Sequence, residues 1–235
     1  MRHFIEPGSF SLAEQLALLD LADRMEADPA PYAHLCDGRI LATLFYEPST
    51  RTRLSFESAM LRLGGKTLGF AGAQLSSASK GETVEDTARV VSNYADVIAM
   101  RHPKEGAPLR ASLSARVPVI NAGDGINEHP TQALLDMFTM MQHKGHLNGL
   151  KVAILGDVTH SRVARSNIFG LHTMGAEVVL CAPPTLMPVQ MEELGVKTYT
   201  RVEEAIEGAD VVMNLRIQLE RQQEGNFPSL REYSE

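Results

Sequence analysis

The segment FYEPSTRTRLSFE, residues 45–57, places two arginines and three hydroxyl side chains within the five residues STRTR. It lies where an apolar run ends and a helical pattern begins. A helix N-terminus carries unpaired N–H groups and a partial positive charge, and hydroxyl and guanidinium donors beside it match phosphate oxygens. We therefore expect an anion-binding turn. Its donors are the side chains of Ser49, Thr50, Arg51 and Thr52. The alternative is that Ser49 only caps the helix and the arginines face water.

Further polar side chains follow other apolar runs in the first half of the chain. Arg101 ends the run DVIAMR, and His129 and Gln132 lie three positions apart at the start of a predicted helix, so that both can face one ligand. A neutral imidazole can polarise a carbonyl oxygen, and a primary amide can bind an –NH2 group. Each residue alone also fits an ordinary role, as a surface arginine, a capping histidine or an exposed glutamine.

The second half contains a different set of candidates. Arg162 follows GDVTHS, and Arg216 and Gln218 follow DVVMNL, where alternate residues of an extended segment point the same way. Arginine suits carboxylates as well as phosphate. Lys80 ends the polar loop SSASKGE, where the usual interpretation is a solvated lysine. For Arg216, the alternative is an ordinary surface segment.

Strand and helix patterns alternate from about residue 39 onward. The predicted strands are RILATLFYE, KTLGFAG, DVIAMR, VPVINAGDG, LKVAILGD, EVVLCAP and DVVMNLRI. This alternation predicts an α/β protein with parallel sheets, in which ligands bind at the carboxyl ends of strands. The polar segment HKGHLNG, 143–149, separates two such patterns. We expect two doubly wound parallel-sheet domains, residues 1–145 and 146–235.

Composition narrows the function classes. The chain has 235 residues and a net charge of −7, which argues against a broad basic face for nucleic acid or a membrane surface. No run reaches the roughly 18 apolar residues that a membrane span requires. Two distant cysteines form neither a zinc spacing nor a disulfide framework, which favours a reducing, cytoplasmic setting. No metal-ligand cluster and no Walker loop is present, so we expect neither a metal nor another cofactor.

These motifs together resemble the aspartate and ornithine carbamoyltransferase family over essentially the whole chain. FYEPSTRTRLSFE is similar to the carbamoyl-phosphate signature that both branches share. The aspartate branch is indicated by SKGET, MRHP, NAGDG before HPTQALLD, HSRVARS and LRIQLER. The resemblance implies carbamoyl transfer from carbamoyl phosphate to the amine of L-aspartate, in de novo pyrimidine biosynthesis. No protein nucleophile is needed, because the amine attacks directly and the departing phosphate can accept its proton.

The resemblance also implies roles for individual residues. Thr52, Arg101 and His129 would act on the carbamoyl oxygen as catalytic residues. The carbamoyl-phosphate site would comprise Ser49, Thr50, Arg51, Thr52, Arg101, His129 and Gln132. The aspartate site would comprise Lys80, Arg162, Arg216 and Gln218. Ser76 and Lys80 match a loop that reaches into a neighbouring subunit, so a homotrimer with shared sites is expected. A regulatory or dihydroorotase-like partner chain is a further partner that the resemblance allows.

The chain ends soon after LRIQLER, whereas the family continues with further elements. We therefore expect a second domain that is shorter at its C-terminus than in the family. Two alternatives stay open: an enzyme of the ornithine type, and a shortened, non-catalytic chain that binds a ligand or assembles with partners. Arg162 and Arg216 argue against ornithine, because its cationic side chain would lie beside two guanidinium groups.

Overall fold

The computed structural model describes residues 1–75, 77–189 and 191–217. It divides into two compact units, Met1–Thr131 and Gln132–Glu235. Each unit contains one sheet of four parallel strands. The predicted fold class, α/β with two parallel-sheet domains, is confirmed. The expected boundary between residues 145 and 146 stays a prediction.

The first unit alternates strands and helices, with its strands in the order β2-β1-β3-β4. Its elements are α1 (Leu12–Ala27), β1 (Ile40–Phe45), α2 (Thr50–Arg62), β2 (Lys66–Ala71), α3 (Val84–Val91), β3 (Val97–His102), α4 (Ala107–Ser114) and β4 (Val119–Asp124). Short 3-10 turns add Pro7–Ser9, Ala30–Tyr32, Ala73–Leu75 and Ser77–Lys80.

The central strand β1 is buried from both sides, which explains its unbroken apolar run ILATLF. Successive side chains of a strand point to opposite faces. On one face, Ala42 and Leu44 belong to a buried cluster with Ala88 of α3 and Ala111 of α4. On the other face, Leu41 packs in a cluster with Met60 of α2. Helices thus cover both faces of this sheet, as a doubly wound fold requires.

The second unit has its strands in the order β7-β6-β5-β8. Helix α5 (Pro130–Lys144) crosses the boundary between the units and begins at the proline that the sequence marks as a helix start. The remaining elements are β5 (Lys151–Leu155), α6 (Arg162–Thr173), β6 (Glu177–Cys181), β7 (Lys197–Tyr199), α7 (Val202–Ile206) and β8 (Val211–Asn214), with 3-10 turns at Pro184–Leu186 and Met191–Leu194.

Strand β5 ends in a turn that only glycine fits. Gly156 has φ +116°, and a Cβ there would lie 2.9 Å from the carbonyl oxygen of Leu215. The N–H of Gly156 donates to the carbonyl oxygen of Cys181, 2.9 Å away. The backbone at the carboxyl ends of β5, β6 and β8 therefore packs too closely for a side chain, directly before the segment that leads to Arg162.

Three elements were not assigned from the sequence: α1, α4 and β7. Helix α1 has a capping box, in which Ser11 accepts from the N–H of Glu14 and Glu14 accepts from the N–H of Ser11. Within the described ranges, no helix has the length and apolar character needed to cross a bilayer.

Candidate active site

The turn between β1 and α2 leaves the start of the helix uncovered. Ser49 occupies the N-cap in an extended conformation, with φ −157° and ψ 106°, but its side chain makes no capping hydrogen bond. No acidic residue lies in the first turn of α2. The N–H groups of this turn therefore keep the partial positive charge that attracts anions. The alternative in which Ser49 serves as a side-chain cap does not apply to this structure.

The two arginines of STRTR differ in what they contact. Within the described residues, the side chain of exposed Arg51 makes no hydrogen bond or ion pair, and the same holds for Ser49, Thr50 and Thr52. Arg53 instead donates from Nε to Oε1 of Glu57 at 2.7 Å, and the hydroxyl of Thr43 donates to the same oxygen at 2.9 Å. Arg53 is thus a structural residue, and Arg51 is the guanidinium available to a ligand.

Arg101 lies at the carboxyl end of β3 and is only 9% exposed. Its Nη2 donates to Oε1 of Glu47 at 2.7 Å, and its Nη1 donates to the carbonyl oxygen of Ala122 at 3.3 Å. The N–H of Tyr46 donates to the carbonyl oxygen of Arg101 at 2.9 Å. These contacts bring Arg101 next to the β1–α2 turn. Glu47 is a contact that the sequence reading missed.

The loop between β4 and α5 is held by one buried carboxylate, Asp124, which is 1% exposed. Its Oδ1 accepts from Nδ2 of Asn121 at 2.8 Å and from the N–H of Glu128 at 3.0 Å. Its Oδ2 accepts from the N–H of Gly106 at 2.7 Å and from Nδ2 of Asn127 at 3.1 Å. The NAGDG motif is therefore a framework for the turn that precedes His129, a role not foreseen from the sequence.

His129 follows this framework and is 6% exposed. Its Nδ1 lies 3.4 Å from the hydroxyl of Thr131. The N–H of Gly125, in the same loop, donates to the carbonyl oxygen of His102 at 3.0 Å. The loop carrying His129 is thus fastened to the end of β3, which also carries Arg101.

His102 is a buried imidazole that the sequence reading did not single out. Its Nδ1 accepts from the N–H of Lys104 at 2.9 Å, and its ring packs on that of Tyr46 with centroids 4.8 Å apart. Burial lowers the pKa of His102, and the hydrogen bond that Nδ1 accepts also requires that nitrogen to be unprotonated. The ring is therefore neutral at pH 7 and supports the end of β3 through packing.

In the second unit, the side chain of Gln132 contacts another residue of its own helix, α5. Its Nε2 donates to Oδ1 of Asp136 at 2.9 Å, and the other oxygen of Asp136 accepts from Nδ2 of Asn167 at 2.7 Å. Burial raises the pKa of Asp136, and the two amide donors act against that shift.

Arg162 begins α6 and is 3% exposed. Ser161, before it, caps the helix by accepting from the N–H of Ala164 at 3.2 Å. In the preceding turn, fully buried Asp157 accepts from the N–H of His160 at 3.3 Å, and its Oδ1 lies 2.8 Å from Nδ1 of His160. The Asp157–His160 pair holds the turn that leads to Arg162, and both residues lie within the motif GDVTHS.

Arg216 and Lys80 are both exposed. Arg216 follows β8, and its Nη1 donates to the carbonyl oxygen of Ile217 at 3.3 Å. Lys80 ends the 3-10 turn Ser77–Lys80. Gln218 and Ser76 lie outside the described residues, so their predicted roles have no structural counterpart here. Across residues 1–75, 77–189 and 191–217, no group of three or more His, Cys, Asp or Glu side chains is arranged to hold a metal ion.

Family models match both parts of the chain. The model described as aspartate/ornithine carbamoyltransferase, carbamoyl-P binding domain, matches residues 2–142, and the Asp/Orn binding domain of the same enzymes matches residues 148–235. The chain belongs to the aspartate/ornithine carbamoyltransferase family. The resemblance inferred from the motifs is therefore confirmed.

Curated relatives place the chain within the aspartate branch of this family. It is 57% identical over 203 residues to the aspartate carbamoyltransferase catalytic subunit of Ruminiclostridium cellulolyticum, covering 86% of this chain and 64% of that protein. It is 50% identical to the catalytic subunit of Chlorobaculum tepidum, covering 100% of this chain and 77% of that protein. The chain thus spans about two-thirds to three-quarters of the length of these relatives.

Solved structures of the carbamoyltransferase family share the fold. The catalytic subunit of M. jannaschii aspartate transcarbamoylase matches with a TM-score of 0.85 and 42% identity, covering 100% of this chain and 78% of that chain. The Trypanosoma cruzi enzyme, in complex with aspartate and phosphate, matches with a TM-score of 0.85 and 37% identity, covering 94% of this chain and 76% of that chain.

Proposed function

We propose that the chain transfers the carbamoyl group of carbamoyl phosphate to the amine of L-aspartate, giving N-carbamoyl-L-aspartate and phosphate. The amine nitrogen bonds to the carbamoyl carbon, the bond from that carbon to the phosphate oxygen breaks, and the phosphate leaves with the proton of the amine. This reaction is a step of de novo pyrimidine biosynthesis. It would be carried out without a cofactor or metal.

One observation carries the proposal: the N-terminus of α2 combines uncovered N–H groups with side-chain donors that have no partner among the described residues. They belong to Ser49, Thr50, Arg51 and Thr52. A charge-assisted hydrogen bond contributes about 1.5–3 kcal/mol. Several such bonds converging on one phosphate group would hold it firmly while the carbamoyl group is attacked.

The carbamoyl group would be activated by residues at the ends of β3 and β4. Thr52, Arg101 and His129 would bind the carbamoyl oxygen and stabilise the negative charge that develops there. The link from Arg101 to the β1–α2 turn through Glu47, and the Asp124 framework before His129, support a fixed geometry for this step. Gln132 would bind the –NH2 end of the same group.

The carboxylates of aspartate would be bound by Arg162, Arg216 and Gln218, with Lys80 contributed by a neighbouring chain. Two guanidinium groups favour a dicarboxylic amine over ornithine. A structure of the Trypanosoma cruzi enzyme contains carbamoyl phosphate and aspartate together, and another contains N-(phosphonacetyl)-L-aspartic acid. These complexes support the same pair of substrates for this chain.

The functional unit would be a homotrimer in the cytoplasm, in which Ser76 and Lys80 reach into the site of the neighbouring chain. A regulatory or dihydroorotase-like chain would be a further partner. The domains would be residues 1–145 for carbamoyl phosphate and 146–235 for aspartate.

Mixing inactive Arg51→Ala chains with inactive Lys80→Ala chains tests the shared site. Subunit exchange should restore some activity, and a mixture that stays inactive would show that Lys80 serves its own chain.

The reaction is tested by incubating the chain with carbamoyl phosphate and either L-aspartate or L-ornithine, and measuring the carbamoylated product. We expect product with aspartate only. Product with ornithine would move the chain to the other branch, and ligand binding without any product would indicate a non-catalytic chain. If carbamoyl phosphate at saturating concentration does not raise the melting temperature, the prediction that the start of α2 binds an anion is wrong.

A further inference from the structure

Asp136 holds one amide on each of its carboxylate oxygens. On Oδ1 it accepts from Nε2 of Gln132 at 2.9 Å, one helical turn away, and on Oδ2 it accepts from Nδ2 of Asn167 on α6 at 2.7 Å. Within the described part of the second unit, no cationic side chain pairs with this carboxylate. Burying part of a charge with only neutral amides as partners costs free energy. Asp136 is such a charge, and it lies on the same helix as the candidate ligand residue Gln132, which suggests a functional role.

The orientation of Asn167 is fixed by two acceptors. The residue is fully buried, and its Nδ2 donates both to Asp136 and to the carbonyl oxygen of Val163, 3.0 Å away. Turning the amide over would place its oxygen against two other acceptors. Asn167 must therefore present its –NH2 group to Oδ2 of Asp136.

The orientation of Gln132 follows from the same chemistry. An ionised carboxylate only accepts hydrogen bonds, so Gln132 must turn its –NH2 group toward Asp136. Its Oε1 then faces the other way and has no partner within the described residues. Asp136 thus determines which end of the Gln132 amide is available to a ligand.

We propose that Asp136 is a positioning residue that keeps the oxygen of the Gln132 amide available to accept from the carbamoyl –NH2 group. The inference rests on the proposed function for the identity of that group. The part that concerns Asp136 and Gln132 alone does not depend on it.

The substitution Asp136→Asn should invert this arrangement. Asn167 still needs an acceptor, so the new amide must offer its oxygen to Asn167 and its –NH2 group to Gln132. Gln132 then has to turn over and accept, which leaves its own –NH2 group facing the carbamoyl –NH2 group. Two donors repel, so we expect carbamoyl phosphate to bind about 10- to 100-fold more weakly. Inorganic phosphate, which has no –NH2 group, should bind as it does to the wild type.

A second substitution should repair the first. In the double variant Asp136→Asn with Gln132→Glu, the carboxylate moves to position 132, where one oxygen accepts from the new asparagine and the other is available to the carbamoyl –NH2 group. We expect the double variant to recover most of the affinity for carbamoyl phosphate. A residue that only stabilised α5 would not be rescued by moving its charge along the helix.

Thermal and urea denaturation check that the Asp136→Asn variant is folded. Burial desolvates the charge of Asp136 in the folded state and so raises its pKa. Replacing the carboxylate by an isosteric amide should therefore leave the stability unchanged or raise it. Asp20→Asn, at an exposed ion pair with Arg24 on α1, is a matched control and should leave binding of both ligands unchanged.

The experiment compares binding of carbamoyl phosphate and of inorganic phosphate to the wild type and these variants by calorimetry. Side-chain amide NMR signals, assigned by loss in Gln132→Ala, report the orientation of Gln132 without any ligand and should move in Asp136→Asn. Unmoved Gln132 signals, equal losses for both ligands, or no recovery in the double variant would overturn the inference. If the Gln132 signals move as expected but the wild type binds neither ligand, the proposed function is wrong while the Asp136–Gln132 link holds.

Discussion

The candidate anion-binding turn of the first unit and the candidate aspartate residues of the second unit differ in the protein contacts that they already make. Around α2, the side chains of Ser49, Thr50, Arg51 and Thr52 make no hydrogen bond or ion pair within the described residues, while Arg53 and Asp124 hold the surrounding structure. In the second unit, candidate aspartate residues already have protein contacts: Arg162 is almost fully buried, and Arg216 donates to the carbonyl oxygen of Ile217. The first region can accept an anion without losing a contact, whereas the second must keep or exchange contacts.

This difference bears on the order of binding. A site whose donors have no partners gains every hydrogen bond that a ligand offers, because no protein contact is lost. We therefore expect phosphate-type ligands to bind in the absence of aspartate. Aspartate alone should bind more weakly.

The largest effect is expected from removing the framework of the first region. Asp124→Ala would leave four donors without their acceptor in a buried turn, at a cost of about 3–5 kcal/mol in the free energy of unfolding. Urea denaturation measures this cost. A loss below about 1 kcal/mol, the scale of one ordinary hydrogen bond, would show that the framework does not depend on Asp124.

A smaller effect, confined to the second region, is expected for Arg162→Gln. Loss of a guanidinium that binds a carboxylate should reduce kcat/KM for aspartate by about 30- to 1000-fold, equivalent to about 2–4 kcal/mol. The thermal shift produced by phosphate should stay as in the wild type. If that shift disappears as well, the two regions do not bind their ligands independently.

The smallest effect is the change of folding stability with pH. The ionisation of Asp96 in the first unit and that of Asp136 in the second unit should change the stability in opposite directions. Hydrogen bonds from the N–H of Ile40 and from Arg39 lower the pKa of Asp96. Its stabilising contribution is therefore present above its usual pKa of 3.8 and is lost as the pH falls through the lowered pKa. Burial raises the pKa of Asp136, so its ionisation reduces stability as the pH rises above 3.8 through the raised pKa.

Melting temperatures of Asp96→Asn and Asp136→Asn, measured between acidic and neutral pH, check these signs. Relative to the wild type, the first variant should lose stability at neutral pH, and the second should keep or gain it. A loss of stability at neutral pH in both variants would contradict the contrast between the two carboxylates.

Much of the fold could be predicted from the sequence because its central strands are continuous apolar runs. The strands β1, β3 and β5, and the start of α5 at Pro130, follow directly from such runs and from proline chemistry. Strand β7 has three residues, too few for a periodic signal. Helix α1 was missed although its capping box, Ser11 with Glu14, is a local signal.

The candidate site could likewise be predicted only in part from the sequence. Residue types predicted which side chains could bind an anion, but not which of them are already engaged. The Arg53–Glu57 and Gln132–Asp136 pairs lie four residues apart on helices, and that spacing could have revealed them. The contact of Asp124 with Gly106 and the contact of Asp136 with Asn167 join different elements, and no local pattern predicts such pairs.

The central claim is that Arg51 is available to a ligand while Arg53 belongs to the structure. It is tested most directly by measuring, for Arg51→Ala and Arg53→Ala, both the melting temperature and its increase with carbamoyl phosphate. Arg51→Ala should keep the melting temperature and lose the increase. Arg53→Ala should lower the melting temperature, because Glu57 keeps only its hydrogen bond from Thr43 and loses its ion pair, and should keep the increase. The reverse pattern, or an unchanged increase in Arg51→Ala, would contradict the claim.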